Sequence, residues 1–339
     1  MALLKPKLFI SREIPRVGID RLKEKFEIEI WSEYWAPPRD ILLKKASESD
    51  ALVTLLTDKI DKELLDSSPH LRIIAQYAVG YDNIDIKYAT EKGVYVTNTP
   101  GVLTDATADL TMALLLAISR RIVEADQFVR SGEWERSKTG WHPLMLLGME
   151  LRGKTLGVIG MGRIGKEVAK RAISFGMSVV YYDKNKLSSQ EERLLNAKYV
   201  ELDDLLMMSD AITIHVNLTE ETKHLINEQR LRLMKPTAYL INTSRGGVVD
   251  TNALIKALKS GWIAGAGLDV FEDEPLPATS ELTKLKNVVL APHIGSATFE
   301  ARNAMAEKVA TNLIDFLNGK IPPDLVNKDV IKVRKPGFW

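Results

Sequence analysis

The chain has 339 residues, of which 45% are hydrophobic and 27% charged, and its formal net charge is +1. This composition is typical of a globular protein and excludes a strong electrostatic bias toward nucleic acid or membrane surfaces. Cysteine is absent, which excludes disulfides, thiolate catalysis and cysteine-ligated metals, and we expect no metal site of another kind. The length favours two domains.

Targeting signals are not evident. Pro6 and several charges lie where a signal peptide needs an apolar run. No segment reaches the ~18 uninterrupted apolar residues of a membrane span. We therefore expect a cytoplasmic protein with no membrane association. The lack of cysteine, together with abundant lysine, glutamate and arginine, also favours a thermophilic source.

Short apolar runs alternate with helical patterns through the first hundred residues, which predicts a parallel sheet covered by helices. The predicted strands are residues 7–10, 27–31, 51–56, 72–78 and 94–98, and the predicted helices are residues 15–26, 37–46, 61–67 and 84–91.

The Pro100-Gly101 pair marks a joint between two parts of the chain. One long helix is predicted over residues 104–131. Residues 132–148 form an irregular, tryptophan-rich piece that is too long for a simple turn, so it is either a functional loop or an interface arm.

A second α/β pattern runs from residue 155 to residue 292. It contains predicted strands 155–159, 179–182, 211–216, 238–242, 263–270 and 287–291, with helices over 164–172, 202–208, 227–234 and 251–260. A last helix, 298–317, has no sheet of its own, so we expect it to pack on the first hundred residues. The predicted fold is α/β, with two Rossmann-like doubly wound parallel-sheet domains and a cleft and hinge between them. Residues 1–101 with 293–339 form the discontinuous substrate domain, and residues 102–292 form the dinucleotide-binding domain with an arm at about 104–150.

The stretch from Thr155 to Asp183 is the strongest functional signal. Gly160, Gly162 and Gly165 follow a buried strand in G-x-G-x-x-G spacing and open a helix. The first glycine permits a tight turn, the second lets a pyrophosphate approach the backbone, and the third lets the helix pack closely on the strand. Asp183 ends the next strand, where a carboxylate can accept hydrogen bonds from a ribose. The pattern predicts a dinucleotide site.

Three further residues lie just past predicted strands of the same domain. Arg245 could clamp a substrate carboxylate with its planar fork, or it could simply pair with Asp250. His293 is one of five histidines and could act as a general acid, or it could be a core residue. Glu274 could stabilise the charged imidazole, although Glu272 and Asp273 are nearby competitors.

At these residues the chain resembles the D-isomer-specific 2-hydroxyacid dehydrogenases, and within them the archaeal-type glyoxylate/hydroxypyruvate reductases. The resemblance covers nearly the whole chain. The motifs that carry it are Gly160-Met-Gly-Arg-Ile-Gly165, Asn242-Thr-Ser-Arg-Gly-Gly247, Gly267-Leu-Asp-Val-Phe-Glu272 with Glu274-Pro275, and Pro292-His-Ile-Gly295. It implies NAD(P)-dependent hydride transfer to a small 2-oxo acid, with Arg245, Glu274 and His293 as the catalytic residues.

The resemblance also implies binding residues and a partner. Substrate would be bound by Arg245, the Val79 and Gly80 amides, Leu55 and Trp141. Trp141 would reach a neighbouring subunit, which implies a homodimer. Besides the glycines, Asp183, Arg245 and His293, the implied cofactor contacts are Thr107, Arg163, Ile164, Thr243, Asp269 and Gly295, with Asp269 near the nicotinamide carboxamide.

Differences from the motifs of related enzymes narrow the choice of reaction and of cofactor. Glu274 stands where formate dehydrogenases carry glutamine, and Val79 lies near the position of a lysine in phosphite dehydrogenases. Asp183 favours NAD(H), although Lys184 and Lys186 keep NADP(H) possible. The alternative enzyme is a D-3-phosphoglycerate or other D-2-hydroxyacid dehydrogenase, although no regulatory domain is expected after the final helix. A distant alternative is a non-catalytic, NAD(H)-sensing corepressor.

Overall fold

The computed structural model of the protein describes residues 5–338, which form two compact units. The first unit combines the described residues of Met1–Leu103 with those of Ala297–Trp339, and the second unit is Thr104–Ser296. His293 therefore belongs to the second unit, whereas the sequence predicted a boundary just before it. The reason is local, because the His293 backbone N–H donates to the Asp269 carbonyl oxygen at 2.8 Å.

The elements follow in chain order. The strands are β1 Lys7–Ile10, β2 Glu27–Ile30, β3 Ala51–Thr54, β4 Ile73–Gln76, β5 Tyr95–Thr97, β6 Thr155–Ile159, β7 Ser178–Tyr182, β8 Ala197–Tyr199, β9 Ala211–Ile214, β10 Tyr239–Asn242, β11 Gly265–Leu268 and β12 Val288–Leu290. The α-helices are α1 Arg16–Lys23, α2 Arg39–Ser47, α3 Lys62–Ser67, α4 Ile86–Glu91, α5 Thr104–Ser119, α6 Ile122–Arg130, α7 Glu133–Arg136, α8 Arg163–Ser174, α9 Ser189–Leu194, α10 Leu202–Met208, α11 Glu228–Leu231, α12 Thr251–Lys259, α13 Phe299–Leu317 and α14 Val330–Val333.

The first unit is built on a five-stranded parallel sheet in the order β2-β1-β3-β4-β5. Every residue of β3 and β4 is buried, as expected for parallel strands with both faces covered. The late helix α13 packs on α1, as the sequence predicted. Their approach is close, since a Cβ on Gly18 would lie 2.6 Å from the carbonyl oxygen of Ala306.

The second unit is built on a seven-stranded parallel sheet in the order β12-β11-β10-β9-β6-β7-β8. The chain runs outward from β6 through β7 to β8, and then returns to β9 on the other side of β6. This reversal creates a topological switch point at the carboxyl ends of β6 and β9, where ligands bind in sheets of this kind. The predicted pair of parallel-sheet α/β layers is therefore confirmed.

The single long helix predicted over residues 104–131 is wrong. Two helices, α5 and α6, occupy this stretch, and Arg121 between them has a left-handed φ of 54°. The chain returns to the end of α5, where the Met149 N–H donates to the Ser119 carbonyl at 2.8 Å. A Cβ on Gly148 would lie 2.2 Å from that same oxygen. A backbone segment distant in sequence therefore caps α5 and ends it.

Small elements account for the remaining differences. The predictions omitted α9 and the short edge strand β8, which pairs with β7. Part of the irregular piece 132–148 is helical, as α7. No helix in the described range 5–338 is both long and apolar enough to cross a membrane.

Candidate active site

The glycine-rich turn has the backbone geometry that a dinucleotide needs. Gly160 follows β6 with a φ of 93°, and a Cβ there would lie 2.7 Å from the His215 carbonyl oxygen. A Cβ on Gly165 would lie 2.1 Å from the Gly160 carbonyl oxygen. By contrast, a Cβ on Gly162 would meet no described atom within 4 Å, so the space in front of this glycine is open.

Gly162 is also the N-cap of α8 and has no side chain to cap the helix. The N–H groups of Arg163, Ile164 and Gly165 begin this helix, where backbone donors have no partner inside the helix. A phosphate group at a helix N-terminus accepts from such donors and is favoured by the helix dipole. The open space at Gly162 and the uncapped helix fit the pyrophosphate of NAD(P)H.

Asp183 connects the end of β7 to the glycine-rich turn. Its Oδ2 accepts from the Met161 N–H at 2.8 Å, and its Oδ1 accepts from the Asn185 N–H at 2.8 Å. A carboxylate oxygen can accept more than one hydrogen bond, so ribose hydroxyls can still bind there. Lys184 lies 3.8 Å from Glu221, and the Lys186 ammonium lies 3.8 Å from the Tyr199 ring centroid. Both lysines therefore have partners away from Asp183.

The other predicted cofactor residues of this unit are brought together around the start of α5. The Thr107 hydroxyl donates to the Gly295 carbonyl at 3.1 Å. One helical turn later, the Thr111 and Thr243 hydroxyls lie 2.9 Å apart. These bonds fix the loops after β10 and β12 against α5, on the carboxyl side of the sheet.

Asp269 holds the turn that carries His293. Its carbonyl accepts from the His293 N–H at 2.8 Å, and its carboxylate accepts from the Ile294 N–H at 2.7 Å and the Gly295 N–H at 2.8 Å. The side chain is fully buried. Burial raises the pKa of Asp269 above its ordinary value, although the two N–H groups and the nearby His293 act in the opposite direction. His293 itself has a left-handed φ of 56°.

His293 and Glu274 form a hydrogen-bonded pair. Nδ1 of His293 lies 2.6 Å from Oε2 of Glu274, and the other carboxylate oxygen accepts from the Phe271 N–H at 3.0 Å. The side chains are 29% and 28% exposed. Burial would raise the pKa of Glu274, but the hydrogen bond and charge of His293, the Phe271 N–H and the charge of Arg245 together hold that pKa below its usual value. The carboxylate is therefore ionised at neutral pH.

The competing acids have other positions. Glu272 lies 2.5 Å from Nε2 of His224, and its second oxygen accepts from the Thr251 N–H at 3.1 Å. Of the three acids in this loop, Glu274 is the one that is hydrogen-bonded to His293. Sequence reasoning missed the His224–Glu272 pair, because nothing in the local pattern around His224 indicates which acid it meets.

Arg245 lies in a tightly built loop after β10. The Asn242 side chain donates to the Arg245 carbonyl at 2.9 Å and accepts from the Ser244 N–H at 3.0 Å. Gly246 packs directly on the Glu274 loop, because a Cβ there would lie 1.8 Å from the carbonyl carbon of Phe271. Asp250, the acid considered as an alternative partner for Arg245, caps α12 by accepting from the Ala253 N–H at 3.0 Å.

His215 is a second residue that sequence reasoning missed. It follows β9, and its backbone N–H donates to the Ile159 carbonyl at 2.7 Å, next to the glycine-rich turn. Neither ring nitrogen has a hydrogen-bond partner within residues 5–338. Burial lowers the pKa of His215 to about 3, so the imidazole is neutral. The available signal was its place at a strand end beside β6.

The remaining predicted residues lie elsewhere in the chain. In the first unit, Leu55 directly follows β3, and Val79 and Gly80 come shortly after β4, its neighbour in the sheet. Trp141 lies in the 132–148 piece with its side chain 83% exposed. No cluster of His, Asp and Glu suited to a metal ion occurs among the residues that the structure describes.

Comparison with known proteins identifies the family. The model of the D-isomer specific 2-hydroxyacid dehydrogenase NAD-binding domain matches residues 112–295, which is more than half of the chain. The chain belongs to the D-isomer-specific 2-hydroxyacid dehydrogenases. The resemblance found in the sequence is confirmed, and the glycine-rich unit is the NAD-binding domain of an oxidoreductase.

Curated relatives of this dehydrogenase extend over its whole length. The glyoxylate reductase of Thermococcus litoralis is 65% identical over 98% of this chain and 100% of its own length. The glyoxylate reductase of Pyrococcus horikoshii is 61% identical over 99% of this chain and 100% of its own length.

Solved structures show the same fold. A Thermus thermophilus protein is 45% identical with a TM-score of 0.88, covering 94% of this chain and 99% of its own. The NADPH-dependent glyoxylate/hydroxypyruvate reductase of Sinorhizobium meliloti, solved with NADP and malonate, is 34% identical with a TM-score of 0.83, covering 96% of this chain and 98% of its own.

Proposed function

We propose that this dehydrogenase is a glyoxylate/hydroxypyruvate reductase, which reduces a small 2-oxo acid to glycolate or D-glycerate. The observation that carries the proposal is the His293–Glu274 pair, with 2.6 Å between Nδ1 and Oε2, in the same unit as the glycine-rich turn. A histidine beside a carboxylate is suited to exchanging a proton with a carbonyl oxygen. The 65% identity to a glyoxylate reductase supports the choice of substrate class.

We propose NAD(H) as the preferred cofactor, held by the Gly160–Gly165 turn, the start of α8 and Asp183, with NADP(H) as the possible second. The bound cofactor supplies the hydride. An ionised carboxylate at Asp183 accepts ribose hydroxyls and repels a 2′-phosphate. We also propose that Thr107, Thr243, Asp269 and Gly295 contact the cofactor, because their loops gather on the carboxyl side of the sheet.

The chemical roles of the chain's own residues follow from their types. Arg245 binds the substrate carboxylate by paired N–H donors. In the first unit, the proposed substrate contacts are the backbone amides of Val79 and Gly80 and the apolar side chain of Leu55. His293 donates a proton from its ring to the ketone oxygen during reduction and accepts it in the reverse direction. Glu274 stabilises the imidazolium through its charged hydrogen bond.

The experiment that tests this proposal measures initial rates of cofactor oxidation with four acids: glyoxylate, hydroxypyruvate, pyruvate and 3-phosphohydroxypyruvate. Each acid is paired with NADH and with NADPH. Preference for glyoxylate or hydroxypyruvate is the expected result. Activity confined to the phosphorylated acid would replace the proposal with phosphoglycerate oxidation. Folded protein that binds cofactor but reduces none of the four would instead favour the sensor alternative.

The cofactor preference has its own test, the Asp183→Ser variant. Without the carboxylate, discrimination against the 2′-phosphate should fall, so the ratio of kcat/KM with NADPH to that with NADH should rise. The same ratio in the variant and the parent would show that Asp183 does not set the preference.

We further propose that the protein is a cytoplasmic homodimer in which Trp141 reaches the partner subunit. Residues of α6 and α7 have no buried side chains, and large apolar side chains are exposed along this segment, among them Ile122, Val129, Trp134, Trp141, Leu144 and Leu147. Exposed large apolar side chains concentrated in one stretch of the chain, residues 122–147, are typical of an interface. Light scattering should give a dimer mass for the parent protein.

Trp141→Ala should weaken dimerisation and raise KM for the 2-oxo acid. Trp35→Ala is the matched control, since Trp35 is also exposed but lies in the first unit. A monomeric parent protein, or equal effects of the two substitutions, would contradict the proposal.

A further inference from the structure

Two loops of the first unit carry the proposed substrate residues. The Leu55 loop, residues 55–58, follows β3, and the Gly80 loop, residues 77–83, follows β4. Because β3 and β4 are paired in parallel, both loops leave the same edge of the sheet. Backbone bonds join the two segments at either end of the loops: the Tyr77 N–H donates to the Thr54 carbonyl at 2.8 Å, and the Ile60 N–H donates to the Asn83 carbonyl at 2.9 Å. Between these two points, side chains connect the loops.

A chain of side-chain amides supplies this connection. The Thr54 hydroxyl donates to Oε1 of Gln76 at 2.7 Å, and Nε2 of Gln76 donates to Oδ1 of Asn83 at 2.8 Å. Thr54 and Gln76 are fully buried. Nδ2 of Asn83 then donates to the carbonyl oxygens of Leu55, at 3.1 Å, and Asp58, at 2.7 Å. The end of the Gly80 loop is therefore bonded directly to the Leu55 loop.

Further side-chain hydrogen bonds hold the backbone of each loop, from Gln76 and Asn98 in the Gly80 loop and from Asp58 in the Leu55 loop. Nε2 of Gln76 makes a second bond, at 3.3 Å, to the Gly80 carbonyl. The Asn98 side chain donates to the Val79 carbonyl at 2.7 Å. In the Leu55 loop, the buried Asp58 carboxylate accepts from the Leu55 N–H at 2.7 Å. The Val79 carbonyl is in the same peptide unit as the Gly80 N–H, so the Asn98 bond holds the Gly80 amide directly, and the Gln76 bond holds the next peptide unit.

Both amide side chains use their full donor capacity in this network. Gln76 and Asn83 each donate twice from their nitrogen and accept at their oxygen. Buried networks with every group satisfied impose a single geometry, because any other arrangement leaves a polar group without a partner. An apolar or charged side chain at either position could not reproduce it.

We propose that Gln76 and Asn83 are positioning residues for substrate binding: they hold the Leu55 and Gly80 loops in one arrangement and so set the affinity for the carboxylate end of the 2-oxo acid. This inference rests on the proposed substrate roles of Leu55, Val79 and Gly80. The two amides act through these backbone groups and do not themselves contact substrate.

The test uses Asn83→Asp, which replaces two donors with an oxygen that faces the carbonyls of Leu55 and Asp58. Asn83→Ala is the milder second variant, which removes the bonds without adding repulsion. The matched control is Asn327→Asp. Asn327 is a buried amide of the same unit that donates to the Val94 carbonyl at 2.9 Å and to the Thr90 hydroxyl at 3.0 Å, away from both loops.

Three readouts separate positioning from stability: thermal unfolding, steady-state kinetics with glyoxylate, and hydrogen exchange of the backbone amides. Both Asn83 variants should raise KM by about tenfold, the effect of losing one or two partly buried hydrogen bonds, and should change kcat less. Dissociation constants for NADH, bound by the second unit, should stay within about twofold of the parent value. Exchange should accelerate in both loops together.

The control should lose thermal stability with KM and loop exchange as in the parent protein. The inference is overturned if KM is unchanged in both Asn83 variants, if only one loop exchanges faster, or if Asn327→Asp raises KM equally. A parent protein that turns over no 2-oxo acid would refute the proposed function instead. In that case hydrogen exchange still decides whether the two amides couple the loops.

Discussion

Glu274→Gln removes the negative charge beside His293 while it keeps the length of the side chain and an oxygen that can accept a hydrogen bond. The parent carboxylate accepts from the imidazole across 2.6 Å and from the Phe271 N–H across 3.0 Å. Glutamine has one oxygen and one NH2 group, so it can accept from the Phe271 N–H and must then meet Nδ1 of His293 as a donor to a neutral imidazole. The substitution therefore tests the charge of this group and leaves the local packing nearly unchanged.

The expected effect follows from the difference between charged and neutral hydrogen bonds. A hydrogen bond to an ionised group contributes about 1.5–3 kcal/mol, roughly twice a neutral one. Water reaches the pair, since the side chains are 29% and 28% exposed, so the low end of this range applies. The substitution exchanges a charged bond for a neutral one, a difference of about 1–1.5 kcal/mol, which corresponds to roughly five- to tenfold in rate.

The assay is kcat and kcat/KM for glyoxylate reduction, with the dissociation constant for NADH and the unfolding temperature measured alongside. Asp273→Asn is the matched control, because it removes the same charge from an exposed neighbour in the same loop. We expect a roughly five- to tenfold loss of kcat for Glu274→Gln, by the free energies given above, and parent values for the control. Glu274→Gln within about threefold of the parent rate would refute the assigned role.

Three further substitutions and one acid titration test the same unit. His293→Ala should lose most of kcat with little change in NADH affinity, and survival of turnover within a small factor would show that the acid is another residue. Gly165→Ala should lower the unfolding temperature, because its Cβ would lie 2.1 Å from a carbonyl oxygen. Gly162→Ala, whose Cβ meets open space, should leave stability intact and weaken only NADH binding. Equal stability losses in the two variants would contradict this reasoning. The lowered pKa of Glu274 means that its carboxylate stabilises the fold above about pH 4.3, the unfolded value, and that this contribution is lost as pH falls through the lower folded-state pKa. Acid titrations of unfolding free energy should therefore be steeper for the parent than for Glu274→Gln, and parallel curves would exclude the linkage.

The strands of both sheets other than β8 could be predicted because their signal is local. Continuous apolar runs such as those of β3 and β6 can be buried only in a sheet covered on both faces. The end of α5 could not be predicted in this way. It depends on the approach of Gly148 and Met149 to Ser119, which is a contact between segments distant in sequence. The sequence pattern of residues 104–131, taken alone, predicts one continuous helix.

The omission of α9 has a different cause. Ser188 and Glu191 form a capping box, in which each side chain bonds to the backbone of the other, and this S-x-x-E pattern is visible in the sequence. The following strand β8 has three residues and lies at the sheet edge, where no strong apolar run is needed. A local signal was therefore present for the helix and absent for the strand.

In the candidate site, too, some features follow from the local sequence and others depend on contacts between segments distant in sequence. Spacing indicated that an acid follows β11, but it could not distinguish Glu274 from Glu272, because both lie in one short loop. The distinction arises from the partner histidines, His293 and His224, which come from separate loops. Only the packing of these loops decides which carboxylate meets which imidazole.

The conformation of His293 explains why Asp269 belongs to the site even without touching substrate. A non-glycine residue with a left-handed φ, here 56°, costs about 1–3 kcal/mol and persists only when its surroundings impose it. Glycine would remove this cost but also the ring. Asp269 imposes the turn instead, through three bonds to the consecutive N–H groups of His293, Ile294 and Gly295. The Asp269 carbonyl and carboxylate together therefore fix the backbone from which the imidazole reaches Glu274, so the proposed chemistry of the pair depends on an acid that the family resemblance assigns to cofactor binding.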